Sequence, residues 1–128
     1  MAALFAVCLS LSLALTACSS TGGPLTGNYV DDTMAVAERL LATIAISQED
    51  PERTAAETEA RSLITAYMAR YRPQAKVNGL ASFTTMQTAI NSLAGHYTNY
   101  ANRPLPEALK ARLDKELKRA EASVVRGA

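Results

Sequence analysis

The sequence has few of the side chains from which catalytic and metal sites are built. It contains no Trp, two Cys and one His, and aromatic residues make up 5% of the chain. The single histidine, His96, excludes a di-iron bundle with paired Glu-x-x-His motifs, because Leu93 stands three residues before it. No Cys-x-x-Cys-His motif is present for covalent haem, and no glycine-rich loop opens a helix as a phosphate cradle. We therefore predict no catalytic residue and no cofactor, which argues against an enzyme and for a binding or assembly role.

His96 also has no acidic neighbour in the sequence with which a Ser-His-acid set could be argued. We expect it to be a partly buried or surface hydrogen-bonding residue. One alternative stays open, because acidic side chains from the first two helices could meet in space and bind Mn²⁺ or Ca²⁺. Such acidic runs more often form solvated helix faces, and we predict no metal site.

Charge is unevenly distributed, although the formal net charge is only +1. Residues 29–60 contain eight acidic residues and two arginines, a net charge of −6. Residues 61–128 contain eleven Lys and Arg and four acidic residues, a net charge of +7. This division either orients the protein towards a charged partner, or reflects oppositely charged helices that lie side by side in one bundle.

The N-terminal residues have the features of an export signal. Residues 2–17 are almost wholly apolar and too few to span a membrane as a helix. The tetrapeptide Leu15-Thr16-Ala17-Cys18 resembles a bacterial lipobox, in which the Cys is lipidated. The alternative is that Cys18 is an ordinary signal-peptide residue. No Lys or Arg precedes it, so we expect the natural start to lie upstream of Met1.

We predict that the chain has three parts. Residues 1–17 form a lipoprotein-type signal peptide, residues 18–28 a lipidated flexible tether, and residues 29–126 a four-helix bundle domain. The tether prediction depends on Gly, Ser and Thr, which make up most of Ser19–Asn28. With two or three acyl chains on Cys18, the domain would be held at a membrane surface without spanning it.

Apolar residues recur every three or four positions in four segments, and the low aromatic content favours helix over sheet. The first two helices are predicted over residues 29–46 and 51–72, with Asn28 and Asp50 as their caps. Their predicted inward residues are Val30, Met34, Ala37, Leu40, Leu41, Ile44, Ala56, Ala60, Leu63, Ile64, Tyr67 and Tyr71.

The third helix is predicted to follow a cap at Ser82 and to end near Tyr100, and the fourth to begin at Pro106. Residues 74–81 are predicted to form the connection before the third helix, with a turn at Asn78-Gly79. The inward residues are predicted to be Phe83, Met86, Ile90, Leu93, Tyr97, Leu109, Leu113, Leu117, Ala120 and Val124. Four amphipathic segments with short connections predict an all-α, up-down-up-down antiparallel four-helix bundle.

Aromatic and basic residues crowd around the connection between the third and fourth helices. The candidates for contact with a partner protein are Tyr97, Tyr100, Asn102, Arg103 and Pro104. Tyr and Arg dominate interface hot spots, and a proline-stiffened loop loses little entropy on docking. The alternative is that the tyrosines close the end of the bundle and the prolines set the turn, and the two interpretations are compatible.

Three stretches of the sequence resemble a known family. They are LTGNY at residues 25–29, SFTTMQTAINSLAGHYTNYANRPLP at residues 82–106 and LKARL at residues 109–113. These stretches look like the small lumenal lipoprotein family of cyanobacteria that assists photosystem II assembly and repair. The resemblance covers essentially the whole mature chain, including the lipobox.

The resemblance implies a four-helix bundle anchored by lipid on the lumenal side of the thylakoid membrane. It implies a non-enzymatic factor that binds photosystem II assembly intermediates on the large lumenal loop of an inner chlorophyll-binding antenna protein. That factor would keep extrinsic subunits off until the manganese cluster is assembled, as a monomer outside the complex and without nucleic acid. Only Cys18, as the acylated residue, is carried over from the family. The alternative is a lumenal lipoprotein that handles manganese or calcium.

Overall fold

All regular secondary structure in the computed structural model, which describes residues 25–128, is helical. The helices are α1 (Tyr29–Ile44), α2 (Arg53–Tyr71), α3 (Ala75–Asn78), α4 (Ala81–Asn99) and α5 (Glu107–Val125). The predicted all-α helical bundle is confirmed, and α3 is a single turn inside the connection predicted over residues 74–81. None of these helices combines the length and the hydropathy that crossing a membrane requires.

The start of α1 follows the sequence prediction, and the start of α2 differs from it. Asn28 caps α1, because its side-chain oxygen accepts a hydrogen bond from the Asp31 N–H at 3.0 Å. Asp50, the predicted cap of α2, instead accepts from the Glu52 N–H at 2.8 Å, and α2 begins at Arg53. The Asp50 carboxylate thus closes the turn that precedes the helix.

The prediction that Ser82 caps α4 is wrong. The helix begins at Ala81, Ser82 is fully buried, and its hydroxyl oxygen lies 2.6 Å from the Tyr29 hydroxyl oxygen. The Ser82 N–H donates to the carbonyl of Ala128 at 3.0 Å. Ser82 therefore joins α4 to α1 and to the end of the chain, since a tertiary partner replaces the local one.

Three of the four predicted apolar stripes are buried almost residue by residue as predicted. The predicted inward residues of α4 are all buried, with at most 4% of any residue exposed. In α2 only Ala56 of the predicted set is half-buried rather than buried, and in α5 only Leu109. Packing these stripes against one another stabilises the bundle, because each large apolar side chain removed from water contributes about 1.5–3 kcal/mol.

The predicted stripe of α1 is partly wrong. Leu40 is buried as predicted, but Val30 is 39% exposed. Asp32 and Thr33 are buried in its place, with 1% and 0% exposure. Both have hydrogen-bond partners on α2, so their polar side chains can be buried without a large cost. Apolar periodicity alone does not predict that they face inward.

Contacts between helix ends show how the bundle is connected. The hydroxyls of Thr33 and Tyr67 lie 2.8 Å apart, which places the start of α1 beside the end of α2. The bonds of Ser82 add the start of α4 and the chain end to the same region. At the other extreme, the Gln48 side-chain amide donates to the Asn102 carbonyl at 2.9 Å, so successive long helices run in opposite directions. We name the first region, residues 25–33, 67–82 and 123–128, the closed end, and the second, residues 45–53 and 96–106, the junction end.

Candidate partner-binding site

The connection between α4 and α5 is a short loop with internal hydrogen bonds. The Tyr100 N–H donates to the His96 carbonyl at 2.8 Å, and the Arg103 N–H donates to the Tyr100 carbonyl at 3.1 Å. Asn102 has a φ of 65°, a left-handed conformation that Asn adopts more readily than most residues. The His96 Nε2 atom lies 3.3 Å from the Arg103 carbonyl oxygen. The loop is thus held against the end of α4, and residues 100–104 are exposed.

A shallow groove lies beside this loop. It is lined by His96, Tyr100, Arg103, Pro104 and Pro106. The centroids of the Tyr100 and His96 rings are 5.4 Å apart, yet Tyr100 is 55% exposed. A large aromatic side chain that is held in place and open to solvent can anchor a partner with little loss of entropy. The structure therefore brings three of the predicted contact residues, Tyr100, Arg103 and Pro104, into one surface.

The other two predicted contact residues have different surroundings. Asn102 is exposed and forms the adjoining turn, where its carbonyl accepts from Gln48. Tyr97 is not a surface residue, because it is only 4% exposed and continues the buried stripe of α4. The Arg61 guanidinium lies over its ring, 5.4 Å from the centroid, and Nη2 donates to the Tyr97 carbonyl at 2.7 Å. Burial raises the pKa of the Tyr97 hydroxyl, and this side chain belongs to the core.

His96 is a hydrogen-bonding residue, as expected, but it is buried rather than partly buried or at the surface. It is 8% exposed, and its ring faces the Arg103 carbonyl and the Tyr100 ring. Within residues 25–128, no three His, Cys, Asp or Glu side chains lie close enough together to hold a metal ion. Glu57 of the acidic first half pairs with Arg53 at 3.0 Å. The cation-handling alternative therefore has no ligand set in this part of the chain.

The closed end contains a buried carboxylate, Asp32, which the apolar periodicity of α1 does not single out. Asp32 is 1% exposed. Its Oδ1 atom accepts from the N–H and the hydroxyl of Thr26, at 2.7 and 2.8 Å. Its Oδ2 atom accepts from the Gly27 N–H at 3.0 Å and from the Tyr71 hydroxyl. Four donors thus satisfy the carboxylate, as a buried charge requires.

These bonds change the predicted boundary of the tether. Leu25 packs on the core, and Asp32 holds Thr26 and Gly27, so residues 25–28 are bound to the bundle. Gly27 has a φ of 92°, and a Cβ atom there would lie 3.1 Å from Arg70 Nη1, so both conformation and space favour glycine. The predicted signal peptide, Cys18 and the rest of the tether lie outside the described residues.

The hydrogen bonds to Asp32 outweigh its burial. Burial alone would raise the pKa of this carboxyl, but the bonds from Tyr71, Thr26 and Gly27 lower it below the ordinary value of 3.8. Burial and the bond to Asp32 raise the pKa of Tyr71, which therefore remains a donor. Because Tyr71 lies 39 positions away in the chain, periodicity could not distinguish Asp32 from its neighbour Asp31.

Fold and site together define a small all-α bundle that presents an exposed aromatic and basic loop at one end. A family model described as Photosystem II Pbs27 matches residues 1–124. The chain therefore belongs to this family.

Relatives of known name are similar over most of the chain. The Photosystem II assembly factor lipoprotein Psb27 of Thermosynechococcus vestitus is 49% identical over 123 residues, which cover 96% of this chain and 92% of the relative. The chloroplastic Photosystem II repair protein PSB27-H1 of Arabidopsis thaliana is 33% identical over 100 residues, which cover 77% and 58%. The solution structure of Psb27 from cyanobacterial photosystem II is 49% identical and matches with a TM-score of 0.79, over 85% of this chain and 95% of that one. The helical bundle is thus shared with solved members of the family.

Proposed function

We propose that the protein is a non-enzymatic assembly and repair factor of photosystem II. The observation that carries the proposal is 49% identity, over 96% of the chain, to a protein named as a photosystem II assembly factor. The Arabidopsis relative has the name of a repair protein, which extends the role to repair. A factor of this kind acts by occupying a surface of its partner and needs no reacting group of its own.

The proposal includes a lipid anchor. Residues 1–17 act as the signal peptide, Cys18 carries the lipid, and the residues before Leu25 connect it to the bundle. The relative from Thermosynechococcus vestitus is named a lipoprotein, which supports this assignment. The bundle is then held on the lumenal side of the thylakoid membrane without a spanning helix of its own.

The proposed partner is the lumenal face of photosystem II assembly intermediates, chiefly the large lumenal loop of an inner chlorophyll-binding antenna protein. Bound there, the bundle keeps extrinsic subunits off until the manganese cluster is assembled. Steric occupancy is sufficient, because a helix of 19 residues is about 28 Å long and the bundle can cover a docking site of that size. The exposed groove of Tyr100, Arg103 and Pro104 supports a contact through the junction end.

Replacing Tyr100 and Arg103 together by Ala tests this contact. Both residues are exposed, so the free energy of unfolding in a thermal or denaturant melt should change by less than about 1 kcal/mol. Removal of an aromatic and an arginine anchor should lower the affinity at least about tenfold. The measurement is binding of the tagged full-length protein to purified photosystem II intermediates that lack their extrinsic subunits.

A matched control replaces Arg119 and Val125 by Ala. Both side chains are exposed on the last part of α5, away from the junction end, and their loss should leave the affinity unchanged. If the unaltered protein binds no photosystem II complex, the proposed function is wrong. If it binds and both double variants bind equally well, the contact lies elsewhere on the bundle.

A further inference from the structure

A long internal part of the chain has no acidic residue. All twelve Asp and Glu residues lie within residues 31–59 and 107–121, so residues 60–106 have none. The same stretch contains five cationic residues, namely Arg61, Arg70, Arg72, Lys76 and Arg103. The two halves of the chain thus differ in more than net charge, because all charged side chains in one continuous stretch of 47 residues are positive.

The fold brings two parts of this stretch together. The second half of α2 lies beside α4, and a groove between them is lined by Arg61, Ile64, Thr65, Ala94 and Thr98. We name this feature the α2–α4 groove. The 19 residues of α4 include no Asp, Glu, Lys or Arg, so Arg61 supplies the charge of the groove. Its other lining side chains are small or apolar, which lets a partner approach closely.

Arg61 is held in place without an acidic partner. Its Nη2 atom donates to the Tyr97 carbonyl at 2.7 Å, and its guanidinium lies over the Tyr97 ring. The four salt bridges within residues 25–128 all join side chains outside the acid-free stretch. An arginine already fixed by an aromatic ring loses little side-chain entropy when it pairs with a carboxylate.

We propose that the α2–α4 groove binds an acidic segment of a partner protein, with a partner carboxylate paired to Arg61. This proposal rests on the proposed function and adds the α2–α4 groove to the junction end as a surface that meets the lumenal part of photosystem II. Protein interfaces are depleted of charge at their centre and enriched in Arg, and the α2–α4 groove has both features. Arg103 belongs to the same acid-free stretch and lies at the junction end.

The α2–α4 groove is a poor match for an anionic membrane. Four of the five cations in the acid-free stretch are Arg, whose planar fork suits bidentate pairing with carboxylates. Membrane-surface helices combine clustered cations with large apolar side chains that insert into the bilayer. The exposed large apolar residues of the described chain are Val30, Tyr100 and Val125, and none of them lines the α2–α4 groove.

Two substitutions in the α2–α4 groove test the proposal. R61E reverses the charge of the groove, but it also removes a donor to the Tyr97 carbonyl. T65E leaves Arg61 in place and puts a carboxylate one turn after it, where the two can pair and so exclude the partner. Thr65 is exposed, and its hydroxyl only bonds the Arg61 carbonyl at 3.0 Å, so T65E should fold normally.

Matched controls lie outside the α2–α4 groove. T88E makes the same change at an exposed Thr of α4 with the same type of bond, from its hydroxyl to the Thr84 carbonyl at 2.9 Å, and Thr88 does not line the α2–α4 groove. R119E reverses an exposed arginine on α5. Binding of each full-length variant to purified photosystem II intermediates is measured over a range of salt concentrations.

We expect R61E and T65E to bind at least about tenfold more weakly, both controls to bind within about threefold of the unaltered protein, and added salt to weaken binding. Unchanged binding of T65E, or an equal loss in T88E, would overturn the assignment while leaving the proposed function intact. Binding to vesicles of phosphatidylcholine and phosphatidylglycerol tests whether the α2–α4 groove contacts lipid instead. If T65E loses affinity for the vesicles but not for the photosystem II intermediates, the groove is a lipid contact and the proposal is wrong. Failure of the unaltered protein to bind would instead end the proposed function itself.

Discussion

The two ends of the bundle contain similar side chains in opposite situations. At the closed end, Tyr71 is 1% exposed and its hydroxyl donates to the buried carboxylate of Asp32. At the junction end, Tyr100 is 55% exposed, and Arg103 has no salt-bridge partner within residues 25–128. Polar groups of the closed end satisfy one another and so fix its geometry, whereas the side chains of Tyr100 and Arg103 at the junction end stay available to a second molecule.

This difference suits a tethered binding protein. The closed end holds residues 25–28, so the segment that leads to the proposed anchor at Cys18 leaves the bundle there. The junction end lies at the other extreme of helices of 19 residues, about 28 Å away. A lipid attached on the side of the closed end, as proposed, would not obstruct a partner bound at the junction end.

The largest expected effect is a difference in the free energy of unfolding between substitutions at the two ends. Y71A should lower the free energy of unfolding by about 4 kcal/mol, because it leaves a core cavity and removes a donor from Asp32. Y100A, the same substitution at the junction end, should lower it by less than about 1 kcal/mol. Urea titration followed by circular dichroism measures both, and equal losses would mean that the two ends do not differ as the structure indicates.

The next effect concerns Asp32 and its dependence on pH. D32N should cost about 2 kcal/mol at neutral pH, because the charge that four donors satisfy is lost. The pKa of Asp32 is lower in the folded state than in the unfolded state, so this contribution is complete above the ordinary pKa and is lost as the pH falls through the folded-state value. The difference between unaltered protein and D32N should therefore be constant near neutral pH and shrink in strong acid.

The neighbouring carboxylate provides the control for that experiment. D31N changes an exposed residue in the same helical turn and should cost no more than about 0.5 kcal/mol, from the helix dipole alone. Stability of both variants is measured by urea titration at several pH values. If D31N and D32N behave alike, the network at Asp32 does not contribute to stability as proposed.

The smallest effect tests the loop of the junction end. Asn102 has a φ of 65°, so N102A should cost about 1 kcal/mol through backbone strain. N102G should cost close to nothing, because glycine adopts this conformation freely and keeps the carbonyl that accepts from Gln48. Thermal melts compare the two, and an equal loss would show that the side chain of Asn102, rather than its conformation, stabilises the loop.

Most of the fold could be predicted from local patterns. The stripes of α2, α4 and α5 recur at helical spacing, and prolines and polar caps mark the connections, so four helices and their inward faces follow from nearest-neighbour geometry. The errors lie where a residue has a distant partner. Ser82 bonds Tyr29 instead of capping its own helix, and Thr33 is buried because Tyr67 accepts or donates across the core.

The candidate site also has a part that local sequence predicts and a part that depends on distant contacts. Residue types alone directed attention to Tyr100, Arg103 and Pro104, which are exposed together in one groove. Tyr97 belongs to the core because its place on the α4 stripe outweighs its place beside the loop. Arg61 could not be found from its neighbours in the sequence, since its importance depends on α4 lying beside α2.

The sequence by itself determined the helices, most of their apolar faces and the family, because periodicity and capping chemistry are local properties of the chain and the family model matches the sequence over residues 1–124. Tertiary structure alone decided which polar groups are buried and which are free. Asp32 and Asp31 are chemically identical neighbours, yet only Asp32 meets four donors, one of them from another helix. The pairing of residues far apart in the chain, which no local pattern encodes, makes one end of this bundle closed and leaves the other open to a partner.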